Sequence, residues 1–167
     1  MEARAKLLGH PIHQMLIPFP LGLLTTAIIF DVVRMITGNP LWSTIAFWLI
    51  AAGIIGGLAA AIFGLIDWTG IPRGTRAKRI GTVHGIGNVV LVVLFVASWL
   101  LRRDNPAQPE TLAIVLSLAG GGLSLVTGWL GGELVDRLGV GVDDGAHVNA
   151  TSSLHGPVAE TRAPIRP

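Results

Sequence analysis

The chain has 167 residues, of which 51% are hydrophobic and only 13% are charged, and it contains no cysteine. Because a soluble domain of this length usually carries about a quarter charged residues, the composition excludes an ordinary soluble domain. The lack of cysteine excludes structural disulfides and thiolate metal sites in this chain. The formal net charge is only +2, and the sparse basic residues do not indicate nucleic-acid binding.

Four long stretches of the sequence lack any charged residue, and each is long enough for a helix of about 20 residues that crosses a bilayer. Because lipid offers the backbone no hydrogen-bond partners, these stretches predict helices, and their continuous hydrophobicity excludes an alternating β-barrel. We therefore expect an all-α, up-down four-helix bundle in a lipid bilayer over residues 1–142, followed by a disordered polar tail over 143–167. The expected helices cover about residues 11–34, 41–67, 80–101 and 111–132.

The first expected helix carries Pro18 and Pro20 in its opening turns, which predicts a kink close to the membrane entry. Near its other end, Asp31 is followed three residues later by Arg34, a spacing at which two side chains on a helix can pair. We expect this pair to orient the first helix at the outer membrane surface.

Basic residues are distributed unequally between the two sides of the expected bundle. With four crossings, the amino terminus, the loop 70–79 and the tail share one side, which holds nine Lys and Arg residues against three on the other. By the positive-inside rule, both termini are expected in the cytoplasm, and the chain is expected to be a multi-pass protein of the bacterial cytoplasmic membrane. The nine are Arg4, Lys6, Arg73, Arg76, Lys78, Arg79, Arg137, Arg162 and Arg166, and the three are Arg34, Arg102 and Arg103.

Small residues form a stripe on two of the expected helices, a pattern that lets membrane helices pack closely. These stripes support an alternative hypothesis, in which the chain is a cofactor-free membrane subunit or scaffold that binds a partner, or a second copy, through glycine-rich faces. The stripes consist of Gly53, Gly57, Ala60 and Gly64 on the second helix, and of Gly120, Ser124, Gly128 and Gly132 on the fourth.

Polar residues gather at the expected cytoplasmic end, where an ionisable group at membrane depth is by default a functional-site hypothesis. The two halves also show a repeat, because each helical hairpin begins with a histidine and ends with a carboxylate. An axis along the membrane normal would bring both histidines and both carboxylates to one interface. The residues at this end are His10, His13, His84, Asn88, Asp67 and Glu133.

Three chemistries fit this cluster. The first is haem b held by His13 and His84, with His10 and Asn88 as weaker candidates, in an electron-transfer component. The second is a divalent metal bound by both histidines together with Asp67, Glu133 or both. The third is proton coupling through histidines that titrate near neutral pH, although a transporter is disfavoured because no ionisable residue is expected at mid-bilayer.

Four motifs follow one another along the chain: Gly9–His13 with Pro18–Pro20, Gly64–Trp68, Val83–His84 with Asn88, and Gly128–Val135. Together they resemble the bacterial membrane-protein family called domain of unknown function 2231. The resemblance implies four membrane spans. Some relatives look to be joined to Rieske iron–sulfur domains, which implies a redox setting. Because this chain lacks the Cys-His Rieske pattern, its redox partner would be a separate protein.

Overall fold

The structure, a computed structural model, describes residues 1–155 of the chain. Four of its helices are long and apolar enough to cross a membrane, which confirms the expected all-α membrane architecture. In chain order the elements are β1 (Lys6–Leu7), β2 (His10–Pro11), α1 (Ile12–Leu16), α2 (Pro18–Thr37), α3 (Leu41–Gly70), α4 (Arg76–Arg102), α5 (Thr111–Gly132), a π-helix (Glu133–Arg137) and a 3₁₀ turn (Ser153–His155).

The first span is divided between α1 and α2, because Pro18 has no N–H to donate to the preceding turn. The interruption lies at Ile17, directly before the first of the two prolines. The helix then continues past its expected end at residue 34 to Thr37, where Gly38 stops it in the left-handed conformation with φ of 70°.

Helix α4 begins at Arg76 and not at residue 80 as expected. Its N-cap is Thr75, whose side-chain oxygen accepts a hydrogen bond from the Lys78 backbone N–H at 3.1 Å. A charge-free run marks the part of a helix buried in lipid, whereas the first turn at the membrane surface is polar. For the same reason α3 continues past the expected end at residue 67 to Gly70.

The amino-terminal segment folds over one end of the bundle. Its strands β1 and β2 pair in antiparallel register through a two-residue turn at Leu8 and Gly9, both with positive φ. The carboxyl-terminal segment lies against it, because Gly141 N–H donates to the Met1 carbonyl at 2.9 Å. Of the tail expected at 143–167, Asp144 lies 3.6 Å from the Met1 amino group and Ser153 lies 3.3 Å from His10, while residues 156–167 are outside the described part of the chain.

The buried positions reveal that the molecule consists of two equivalent halves. Every buried residue of α2 has a buried counterpart on α4 at a constant separation of 71 residues, the separation of Asp31 and Arg102. Four of the six buried residues of α3 have a buried counterpart on α5 at a second constant separation. The pairs are Pro20 with Leu91, Leu24 with Phe95, Ala27 with Ser98 and Asp31 with Arg102, then Ala46 with Ala113, Ile50 with Ser117, Gly53 with Gly120 and Ala60 with Thr127.

The two hairpins therefore pack face to face around a pseudo-two-fold axis along the bundle, as in parallel repeats. The core lies between them and contains side chains from both halves, among them Leu24, Ile50, Leu91 and Phe95. Large apolar side chains such as Ile55 and Leu125 are exposed around the outside of the bundle, as expected for helices that contact a lipid bilayer.

Candidate functional site

The structure brings His13 of α1 and His84 of α4 together at one end of the bundle. Their ring centroids lie 6.5 Å apart, and the two ring planes are nearly perpendicular, at 89°. His13 and His84 are 71 residues apart in sequence, which is the separation that relates the buried residues of α2 to those of α4. They are thus counterparts in the two halves, and they meet across the pseudo-two-fold axis. We call this the histidine end of the bundle.

Each histidine is anchored to a backbone carbonyl of the second helix of its own hairpin. The Nδ1 atom of His13 lies 2.8 Å from the Ala60 oxygen, and the Nδ1 atom of His84 lies 2.9 Å from the Thr127 oxygen. A carbonyl only accepts, so both Nδ1 atoms carry the proton and donate. In a neutral ring this leaves Nε2 as the nitrogen with a free lone pair. A histidine anchored in this way is oriented for binding a metal through Nε2.

Two glycines provide space for the rings. A Cβ atom on Gly64 would lie only 2.8 Å from Cε1 of His13, and one on Gly131 would lie 3.3 Å from Cε1 of His84. Gly64 and Gly131 each follow the anchoring residue by one helical turn, so they too are counterparts. Part of the glycine stripe predicted on α3 is therefore occupied by a ring of the same chain.

Asn88 holds His84 from the next turn of α4. Its amide nitrogen donates to the His84 carbonyl at 2.8 Å and lies 3.2 Å from Nε2 of the same ring. Both ring nitrogens of His84 therefore have partners. His84 and Asn88 are four residues apart and therefore lie on one face of α4.

Three other residues predicted at this end have different partners. His10 is exposed, and its Nε2 lies 3.3 Å from the Ser153 hydroxyl. One carboxylate oxygen of Asp67 accepts the backbone N–H groups of Arg4 and Ala5, at 2.7 and 2.9 Å, and so fastens the amino-terminal segment to α3. Glu133 pairs with Arg76.

The four ligands proposed for a divalent metal, His13, His84, Asp67 and Glu133, thus do not form one cluster. Within residues 1–155 there is no group of three or more His, Cys, Asp or Glu side chains placed to hold a metal ion. What the geometry provides at the histidine end is a pair of imidazoles without a neighbouring carboxylate ligand.

A second polar cluster, which the sequence reasoning missed, lies at the opposite end of the bundle. Arg102 donates to both carboxylate oxygens of Asp31 at 2.7 Å, and both side chains are completely buried. The expected pairing of Asp31 with Arg34 is wrong: Nε of Arg34 is buried and finds no hydrogen-bond partner within the described residues. A bidentate pair between two helices satisfies the carboxylate better than a neighbour on the same helix.

We call the cluster around Asp31 and Arg102 the ion-pair end of the bundle. Two serines complete its hydrogen bonding. The hydroxyl of Ser98 accepts from Nε of Arg102 at 3.2 Å and donates to the Ala113 carbonyl at 2.6 Å. The hydroxyl of Ser117 lies within 3.3 Å of both Arg102 and Asp31. The constant separation of 71 residues between the two halves predicts this pair, because it relates Arg102 to Asp31 and His84 to His13.

The remaining glycines of the predicted stripes are used largely for packing within the chain. A Cβ on Gly53 would lie 2.6 Å from Leu24, and one on its counterpart Gly120 would lie 2.8 Å from Phe95. Gly128, by contrast, has no such neighbour within 4 Å. Most of the small-residue surface is thus already covered by the other helices of the bundle.

Comparison with known proteins adds a family assignment. A family model described as predicted membrane protein (DUF2231) matches residues 9–144, which include every residue of the histidine end and of the ion-pair end. No curated protein and no solved structure matches the chain.

Proposed function

The chain belongs to the DUF2231 family of predicted membrane proteins, and we propose that within the membrane it binds haem b between His13 and His84 and transfers electrons. The observation that carries this proposal is the meeting of two imidazoles from equivalent positions of the two halves, both fixed through Nδ1. Bundle cores commonly hold cofactors through side chains of facing helices.

The spacing of the rings supports ligation of one metal by both histidines. Imidazole nitrogens bind metals at about 2 Å, so two rings that shared one metal would have centroids up to about 6 Å apart. The observed separation of the ring centroids is 6.5 Å.

Haem fits this donor set better than a bare divalent ion does. Because a porphyrin supplies four nitrogens of its own, His13 and His84 would be the only ligands that the protein needs to provide for haem iron. A bare ion with nitrogen and oxygen ligands would need further donors, whereas Asp67 and Glu133 are engaged elsewhere. When bound, haem supplies reversible one-electron chemistry at iron.

The chain's own residues orient the ligands and tune them. Donation from Nδ1 to the Ala60 and Thr127 carbonyls fixes each ring and increases the basicity of Nε2. Asn88 donates to the His84 carbonyl and lies beside Nε2 of the same ring; if His84 held haem through Nε2, the bond to the carbonyl would remain. Asn88 therefore acts as a positioning residue for the helix turn that carries His84.

We further propose that the histidine end faces the cytoplasm of a bacterium, with the chain in the cytoplasmic membrane. The basic residues concentrated at this end support that orientation through the positive-inside rule. Electrons would then be exchanged with a separate redox partner protein. The alternative role as a scaffold has less support, because Gly53, Gly64 and Gly120 already contact side chains of the same chain.

The first test is an absorption spectrum of the detergent-purified protein before and after dithionite, with elemental analysis of the same sample. The proposal predicts a Soret band that shifts on reduction, together with iron in a ratio of about one per chain. His13→Ala and His84→Ala should each remove most of the bound haem, because each removes one axial ligand.

His10→Ala is the matched control, because His10 lies in the same segment as His13 but is exposed and contacts only Ser153 among the described residues. This variant should retain full haem content. Retention of haem in both the His13 and His84 variants would refute the ligand assignment. A stoichiometric metal without a Soret band would favour a metal site, and neither haem nor metal from cells supplied with both would refute the proposed function.

A further inference from the structure

A shallow groove of about 410 Å³ opens on the surface where α4 begins, at the histidine end. It combines the capped first turn of α4 with two cationic side chains and two hydroxyl groups. Its lining residues are Gly74, Thr75, Lys78, Arg79, Thr82 and Val83. None of these residues belongs to the proposed haem site.

The cationic side chains of the groove are held differently. Nζ of Lys78 lies 3.4 Å from the centroid of the Trp68 ring and donates to the Trp68 carbonyl at 2.6 Å. Its charge is therefore fixed at the groove while further N–H groups of the ammonium remain available. Arg79, next to it in sequence, is exposed and extends the positive charge along the rim.

Trp68 gives the depth of the groove relative to the membrane. Tryptophan prefers the level of the lipid headgroups, where its apolar ring and polar N–H are both accommodated. Here Nε1 of Trp68 donates to the Thr82 hydroxyl at 3.1 Å, beside the groove. The groove is thus placed where the phosphates of lipids lie.

An apolar face continues from the groove along α4 toward the membrane centre. Val83, Ile86, Val90 and Val93 recur at helical spacing, and their exposed fractions are 56%, 61%, 46% and 59%. A lipid whose phosphate reaches the groove can therefore lay an acyl chain along this face.

We propose that this groove binds an anionic phospholipid of the phosphatidylglycerol type, with its phosphate at Lys78 and Arg79 and one acyl chain along the Val83–Val93 face. Charge complementarity selects an anionic headgroup, because basic residues near the membrane surface attract anionic lipids by about 1 kcal/mol each. The adjoining apolar face distinguishes a lipid from free phosphate as the ligand.

The test is a lipid titration of the detergent-purified full chain, followed by native mass spectrometry. Phosphatidylglycerol should bind with a stoichiometry of one before further lipids attach, and phosphatidylcholine of the same chain length should bind more weakly. Arg79→Gln should weaken phosphatidylglycerol binding about fivefold, the change that corresponds to one basic residue. The haem content of this variant should remain that of the parent.

Arg103→Gln is the matched control, because it removes the same charge from an exposed arginine at the opposite end and should leave the first binding step unchanged. Equal weakening in both variants would overturn the proposal, since attraction would then depend on net charge alone. Equal affinity for phosphatidylglycerol and for its deacylated headgroup, glycerophosphoglycerol, would also overturn it, because the apolar face would then contribute nothing.

Discussion

Asp31 and Arg102 are the only oppositely charged pair among residues 1–155 whose two side chains are both completely buried. Removing two charges from water is costly, and the cost is offset only if every lone pair and N–H group finds a partner. Here the carboxylate accepts two bonds from the guanidinium, Nε of Arg102 donates to Ser98, and Nη2 lies within 3.4 Å of the Ser117 hydroxyl and of the Ala113 carbonyl. The cluster therefore stabilises the fold as a unit, and each member depends on the others.

We expect Arg102→Leu to destabilise the protein strongly, by about 3–5 kcal/mol, because it leaves the Asp31 carboxylate buried without its partner. The double variant Asp31→Leu with Arg102→Leu should recover most of that loss, since it removes both charges. The free energy of unfolding can be measured in mixed micelles with increasing dodecyl sulfate. If the double variant is no more stable than Arg102→Leu alone, the coupling between the two residues is absent.

At the level of single residues, the sequence predicted which groups matter better than it predicted their partners. His13 and His84 were singled out as ionisable groups near the membrane surface, and they do meet. Asp31 was assigned to Arg34 because pairs on one helix can be found from spacing alone. Contacts between distant helices leave no such local signal, so Arg102 was missed.

The effect of a glycine on packing between helices depends on which neighbour the glycine faces. Helix α5 contains two glycines that can be compared directly. A Cβ at Gly120 would lie 2.8 Å from the ring of the buried Phe95, whereas a Cβ at Gly122 has no neighbour within 4 Å. The two glycines are therefore different in function although they lie in one run of three.

Gly120→Ala should destabilise the bundle by about 1–3 kcal/mol, because the added methyl group forces Phe95 out of a tightly packed position. Gly122→Ala should instead be neutral or stabilising by up to about 1 kcal/mol, since alanine is the better helix former. Both values can be obtained from unfolding curves in mixed micelles. Equal effects of the two substitutions would show that helix propensity and not contact with Phe95 decides the outcome.

Helices were predictable from the sequence, but their ends were less so. The apolar runs gave four spans because only a helix satisfies its backbone in lipid. The first turn of α4 was missed, since Arg76, Lys78 and Arg79 interrupt the apolar pattern although they lie in helical conformation. Charged residues mark the membrane boundary. A helix begins instead where a capping side chain, such as that of Thr75, accepts a hydrogen bond from a backbone N–H that has no partner within the helix.

The whole molecule is a pair of similar hairpins that differ most at one end of their axis. At the histidine end the counterparts are identical, and at the ion-pair end they are Asp31 and Arg102. The surroundings have diverged as well, because Ser98 and Ser117 on the arginine side correspond to Ala27 and Ile50 on the aspartate side. The second half thus supplies the polar groups that Arg102 requires.

Exchanging the two charges tests whether positions 31 and 102 are equivalent in the two halves. The double variant Asp31→Arg with Arg102→Asp should be more stable than either single variant, because a pair of opposite charges is kept. It should remain less stable than the parent, since Ser98 and Ser117, the hydroxyl partners of Arg102, have only Ala27 and Ile50 as their counterparts on the other half. Unfolding curves of the four proteins decide the point. A swapped protein as unstable as the single variants would contradict the equivalence of the two positions.

The divergence of this pair also bears on how the chain matures. The first hairpin is synthesised before α4, so Asp31 enters the membrane while its future partner has not yet been made. An unpaired carboxylate in lipid is costly, so the cost of burying Asp31 is offset only when Arg102 arrives with the second hairpin. A first hairpin that met another copy of itself would instead bring two aspartates together, so the nascent chain is protected against pairing with its neighbours before it is complete.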